Sequence, residues 1–138
     1  MRLSAFTDYT LRTLICLAVR GPSTIAEISG LYAISEAHLT KVVHQLGLAG
    51  DIDTTRGRNG GIRLARPPAA INLGGVVRRT EDTTLVPCLG GEFCLISRAC
   101  VLQTALTEAL AAFFAVLDRF TLADLASGPA LASLLEKS

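Results

Sequence analysis

Residues 35–46 read Ser35-Glu36-Ala37-His38-Leu39-Thr40-Lys41-Val42-Val43-His44-Gln45-Leu46, and residues 52–66 read Ile52-Asp53-Thr54-Thr55-Arg56-Gly57-Arg58-Asn59-Gly60-Gly61-Ile62-Arg63-Leu64-Ala65-Arg66. In the first stretch Leu39, Val42, Val43 and Leu46 recur at helical spacing, and Ser35 stands where an N-cap belongs. In the second, Asn59-Gly60 lies between two short alternating runs, a strong hairpin signal. A capped helix followed at once by a glycine-rich hairpin indicates a mainly α fold with a small β-hairpin wing.

Upstream, Thr24 followed by Glu27 makes a capping-box pattern, and Ile25, Ile28 and Leu31 or Tyr32 face inward. Before it, Asp8–Arg20 carries Leu11, Leu14, Ile15 and Ala18 at i, i+3, i+4 and i+7, and Gly21-Pro22 ends that helix. Three helices, the last two joined through Ala33-Ile34, form a helix-turn-helix candidate, and the hairpin makes it winged. Downstream, Pro67-Pro68 closes the wing and Asn72 can cap a short helix to about Thr80. The stretch Asp82–Ala99 reads as irregular. Cys100–Asp118 reads as a long helix with Leu102, Leu106, Ala109, Leu110, Phe113 and Leu117 on one face, and Ala111, Ala112, Phe114 and Ala115 on others. A helix apolar nearly all round is covered on more than one side. In so short a chain the second cover is expected to be another subunit, making this a dimerisation helix. The chain thus divides into residues 1–66 (winged helix-turn-helix), 67–99 (connecting helix and cysteine loop) and 100–138 (dimerisation helix and C-terminal tail) within one integrated domain.

Bulk properties bound the function. The 138 residues are 50% hydrophobic with a formal net charge of +1, enough for a packed core and unlike a polybasic nucleic-acid binder. The start, Met1–Asp8, has no apolar h-region, and no apolar run reaches the roughly 18–20 residues needed to span a bilayer. A cytoplasmic location without membrane attachment is expected. In that reducing compartment the four cysteines point to metal or redox chemistry before structural disulfides.

Charge placement matters more than net charge. The polar face of the Ser35–Leu46 helix shows Ser35, His38, Thr40, Lys41, His44 and Gln45, side chains able to reach base edges and phosphates. The hairpin adds Arg56, Arg58, Arg63 and Arg66, with Asn59, Gly60 and Gly61 at a tip that can approach a backbone closely. Each element alone reads more readily as a solvated surface with no partner. Helix-turn-helix followed directly by a basic wing favours double-stranded DNA as partner.

Cys88, Cys94 and Cys100 form a C-x5-C-x5-C pattern around Gly90-Gly91. Structural zinc sites use tighter pairs and four cysteine or histidine ligands. Three thiolates on a bendable loop suit iron–sulfur irons, leaving one position to a weaker ligand. Zinc, a thiol–disulfide switch and merely packed cysteines stay open at this point. Cys16, between Ile15 and Leu17, reads as a small core residue. No Cys-x-x-Cys pair, Ser–His–Asp set or phosphate loop marks an enzyme.

Three stretches together, Met1–Leu14 (MRLSAFTDYTLRTL), the Arg56–Leu64 wing and the cysteine trio, resemble the nitric-oxide-sensitive repressors among the Rrf-type winged-helix iron–sulfur regulators. The likeness continues to Phe120–Leu125. It implies a homodimer crossed by the long helix and an inverted-repeat operator. It also implies a cluster, [4Fe-4S] before [2Fe-2S], held by Cys88, Cys94 and Cys100, with Asp8 of the partner subunit as fourth ligand and nitric oxide as the signal. Without the resemblance, Asp8 is an acidic residue in a helix's first turn, favoured by the dipole. The related regulators of iron–sulfur cluster assembly are expected to carry histidine three residues after the third cysteine. Gln103 stands there, which favours the nitric-oxide sensor over a cluster-status or redox sensor. A colourless zinc or thiol-switch repressor is the other alternative.

Overall fold

The structure is a computed structural model that describes residues 1–58 and 60–136. Asn59, one of the wing residues singled out above, lies outside the described residues. The elements run α1 (Ala5–Arg20), α2 (Ile25–Tyr32), α3 (Glu36–Leu48), β1 (Ile52–Thr55), β2 (Gly61–Leu64), α4 (Leu73–Thr80), α5 (Val101–Leu117), α6 (Leu122–Ala126) and α7 (Pro129–Glu136).

Local chemistry sets the helix starts. Ser4 caps α1, its hydroxyl accepting from the Thr7 N–H at 3.2 Å. Thr24 and Glu27 form the reciprocal capping box of α2, Ser35 caps α3 and Asn72 caps α4. The turn between α2 and α3 passes through Ala33, the one described non-glycine residue at positive φ (55°). The Ser29 hydroxyl, donating to the Ile34 carbonyl at 2.6 Å, ties that turn down.

The strands pair antiparallel from Ile52↔Leu64 to Thr55↔Gly61. The hairpin is therefore present, but its connection is longer than the two-residue turn that Asn59-Gly60 signals. It closes through Gly60 N–H to the Gly57 carbonyl at 2.9 Å. A third short partner joins the sheet, with Ser23 and Ile62 exchanging hydrogen bonds of 3.0 and 2.7 Å. This bridge locks the wing to the α1–α2 connection.

Helix α1 is the centre of the molecule and packs against α3, α4, α6, α7 and β2. Its buried set is Thr7, Thr10, Thr13, Leu14, Cys16 and Leu17. Of the residues that the apolar periodicity marked, Leu14 is buried, whereas Leu11, Ile15 and Ala18 are only half-buried. Threonine can occupy the core here because its hydroxyl is satisfied locally: Thr10 and Thr13 donate to the Phe6 and Tyr9 carbonyls, each at 2.8 Å. Cys16 is a core residue, 1% exposed. The apolar core joins Leu14, Leu17, Ile28, Leu39, Val42 and Leu46 to Ile52 and Ile62 of the wing and Ile71, Val76 and Leu122 beyond it.

The segment after α5 is no loose tail. Leu122 N–H donates to Ile71 at 2.8 Å, and Arg20 Nη1 donates to the Leu135 carbonyl at 3.1 Å, so α6 and α7 return to cover α1. Helix α5 packs chiefly on α4 and buries only Phe114, while Val101, Leu102 and Val116 stay largely exposed. None of the described helices is long and apolar enough to cross a membrane.

Candidate nucleic-acid interface and cysteine loop

The polar face of α3 exists because Leu39, Val42, Val43 and Leu46 are drawn into the core. That burial turns Ser35, His38, Thr40, Lys41, His44 and Gln45 to solvent, all six of them exposed. Thr40 Oγ1 donates back to the Glu36 carbonyl at 2.8 Å. His38 rests against α1, with its ring 5.8 Å from that of Tyr9. Arg12, one turn further along α1, places its guanidinium 5.8 Å from the Tyr32 ring at the end of α2. The N-terminal half of α1 thus touches both helices of the helix-turn-helix, through contacts that no local pattern announces.

In the wing Arg56, Arg58 and Arg63 are exposed. Among the described residues these three and Lys41 enter no ion pair. Unpaired exposed cations beside a helix with open polar side chains form a surface suited to phosphates. The two described tip glycines have structural reasons of their own. A Cβ on Gly60 would overlap the Thr55 carbonyl, and one on Gly61 would press on the Ser23 carbonyl at 3.0 Å. Arg66 turns away from the wing surface. It donates to the carbonyls of Gly50 (3.2 Å) and Ala49 (2.9 Å) and lies 3.4 Å from buried Asp51. Asp51 was not legible as a key residue. It is 2% exposed and bound by Arg79 at 2.6 Å.

The cysteine loop leaves α4 at Glu81. Its carboxylate accepts from the Ser4 N–H at 2.7 Å, tying the loop's origin to the start of α1. This bond and the nearby Thr7 hydroxyl hold the Glu81 carboxyl below its ordinary value of 4.5. From Asp82 to Cys100 no residue is fully buried. Short 3-10 turns at Pro87–Gly90 and Ser97–Ala99 shape the loop, with Gly91 at φ 96° closing the first of them. Cys88, Cys94 and Cys100 are free, half-buried thiols, and Cys100 occupies the residue before the first turn of α5. Phe93, Leu95 and Ile96 stand exposed around them. Asp8 is in the first turn of α1 and pairs with Arg12 Nε at 3.0 Å. Among the described residues of a single chain, no three His, Cys, Asp or Glu side chains come together as a metal site. As a donor set, three uncommitted thiols on one short glycine-bearing loop still fit an iron–sulfur group, with room for a ligand from outside the loop.

Residues 3–128 match the model of the Rrf2 family, described as iron-dependent transcriptional regulators. The chain is 49% identical over 131 residues to the HTH-type transcriptional regulator NsrR of Bacillus subtilis, covering 91% of this chain and 90% of the relative. It is 47% identical over 144 residues to NsrR of Geobacillus kaustophilus, covering 99% and 98%. Among solved structures, CymR of B. subtilis superposes with a TM-score of 0.75 at 29% identity, covering 91% of this chain and 96% of that one. With its winged helix-turn-helix and exposed cationic surface, the chain belongs to the Rrf2 family of DNA-binding transcriptional regulators and is not an enzyme.

Proposed function

We propose that the protein is a cytoplasmic, homodimeric repressor that senses nitric oxide through an iron–sulfur cluster. The observation that carries this reading is the joining of two features: an exposed cationic surface on α3 and the wing, unpaired among the described residues, and three free thiols on a loop whose first residue grips α1. Relatives of nearly half-identical sequence named NsrR support the choice of signal, and Gln103 supports it over cluster-status sensing.

Cys88, Cys94 and Cys100 would hold the cluster, [4Fe-4S] before [2Fe-2S], with Asp8 of the partner subunit as the fourth ligand. A cluster held there would supply soft irons with which nitric oxide can react. The chain's own residues do the rest. Glu81 and Ser4 join the loop to α1, and Tyr9 and Arg12 join α1 to His38 and Tyr32. When not engaged elsewhere, Asp8 has Arg12 as its partner within the single chain. Ser35, His38, Lys41, His44 and Gln45 would enter the major groove, with Thr40 beside them. Arg56, Arg58 and Arg63, with Asn59, Gly60 and Gly61 at the tip, would follow the backbone and minor groove. Two such heads would address an inverted repeat with half-sites about 34–36 Å apart.

A second copy fits the surface left open. A largely apolar cavity of about 420 Å³ runs between α1, α4 and α5, lined by Leu3, Leu11, Leu73, Val77, Leu110 and Phe113, and exposed Val101, Leu102 and Val116 extend the apolar surface along α5.

The test is operator binding by anaerobically reconstituted protein, cluster-free protein and nitric-oxide-treated protein, with visible absorption recorded on each. Tight binding by the coloured protein alone is expected. Equal affinity in all three states would sink the reading, and a colourless protein that still switches would indicate zinc or thiol chemistry.

A further inference from the structure

Consecutive arginines on α4 grip different parts of the fold. Arg78 forms a two-pronged pair with Asp118 at the end of α5, at 2.6 and 2.8 Å, and lies 4.4 Å above the Phe114 ring. Arg79 reaches the other way, to Asp51 Oδ2 at 2.6 Å. Asp51 sits in the corner between α3 and β1, with a side chain 2% exposed. Its second oxygen faces Arg66 Nε at 3.4 Å, and Arg66 also binds the carbonyls of Ala49 and Gly50 that follow α3. The Asp51 backbone is committed as well. Its N–H donates to Leu46 of α3 at 3.1 Å, and its carbonyl accepts from Ala65, just past β2, at 2.8 Å. Through its carboxylate and backbone together, Asp51 therefore joins the end of α3, both roots of the wing, and α4.

A buried carboxylate is tolerated only while it is paired. Any displacement of α4 must then carry α3 and the wing with it, or break the pair. Helix α4 ends at Glu81, where the cysteine loop begins and where the loop is tied to α1. The chain's own path from cysteine loop to wing runs through α4.

We propose that Arg79, acting through Asp51, is a positioning residue that passes displacements of α4 to the recognition helix and the wing, and so sets how strongly operator affinity responds to the state of the loop. This rests on the switching reading above. Asp51 is buried and so cannot read bases itself. The effect is on the response, beyond any effect on stability.

The experiment measures binding of a duplex selected by the wild-type protein from a random pool. Wild type, Arg79→Met and Asp51→Asn are each compared with and without cluster, with visible absorption confirming loading. Amide hydrogen exchange is followed on the same samples. A wild-type affinity ratio between the two forms of roughly 5–150-fold is the usual range for a coupled switch. Both variants are expected to load cluster and bind DNA with a ratio close to one, and to exchange faster at Ala65 and the wing roots while α5 is unchanged. A wild-type ratio retained in folded, loaded variants overturns the proposal. If wild type itself shows no ratio, the switching reading fails, and exchange decides the joint: faster exchange at Ala65 in Arg79→Met upholds it, and unchanged exchange overturns it. Asp51→Asn, which keeps the side chain's shape, supplies the same test should Arg79→Met fail to fold.

Discussion

Gly60 shows how a single residue serves the wing. Any Cβ there meets the Thr55 and Gly57 carbonyls, backbone atoms that cannot swing aside. Gly60→Ala is expected to cost about 1–3 kcal/mol, the usual range for overpacking, and to loosen the hairpin; denaturant melts and the exchange of the Ile62 amide check this. Glu81 makes a second prediction. Its carboxylate is held below the ordinary 4.5 by the Ser4 N–H first and the Thr7 hydroxyl next. A group whose folded pKa is depressed contributes stability above its unfolded value, and that contribution is lost as pH falls through the lower folded value. Wild type should therefore exceed Glu81→Gln in stability at neutral pH, with the gap closing as the pH drops below about 4.5. A gap that is constant with pH would show that the charge is not what binds Ser4.

At the scale of elements, the wing and α3 divide the work differently. Arg56 and Arg58 are exposed and unpaired among the described residues, so their expected role is with phosphates. Each neutralised phosphate contributes about 0.9 to the salt slope of binding. Arg56→Ala and Arg58→Ala should each lower that slope by about this amount and weaken all sequences alike; affinity titrations across salt concentration measure it. His44→Ala and Gln45→Ala on α3 should instead relax base preference, at about 1–3 kcal/mol per lost base contact. The basis for α3 was legible in the sequence because its cap, Ser35, directly precedes the thirteen-residue helix that holds its inward residues. Arg66 was not separable from the other wing arginines in this way. Its partners, Ala49 and Gly50, lie seventeen and sixteen positions away, and only folding brings them to it.

At the scale of the whole molecule, α5 is the outlier. It carries Val101 at 79% and Leu102 at 60% exposure on a helix of high apolar content. If a second copy covers that face, Leu102→Glu should shift sedimentation towards monomer and weaken operator binding by loss of the paired heads, with the helical content of each chain retained. A dimer undisturbed by this change would place the interface elsewhere. The cysteine loop predicts the complementary behaviour. Since nothing from Asp82 to Cys100 is fully buried, Cys94→Ser should abolish visible absorption while leaving the melting temperature of the cluster-free protein within a few degrees, as surface substitutions usually do.

By itself the sequence determined the capped starts of α2, α3 and α4, the presence of the wing, the helix-turn-helix and the three loop thiols, while α1 begins at Ala5, before the Asp8 that the periodicity marked. Caps, helical periodicity and hairpin glycines act within a few residues, so they are visible in one dimension. The tertiary structure alone decided three things: the burial of Thr7, Thr10 and Thr13, the return of α6 and α7 over α1, and the pairing of Asp51 with Arg79. A threonine looks polar until its hydroxyl finds the carbonyl one turn back and the surrounding helices close over it. Asp51 and Arg79 are 28 residues apart, and neither carries a local mark of the other. Their partnership follows from topology, because desolvating a charge makes the position of its counter-charge a property of the whole fold.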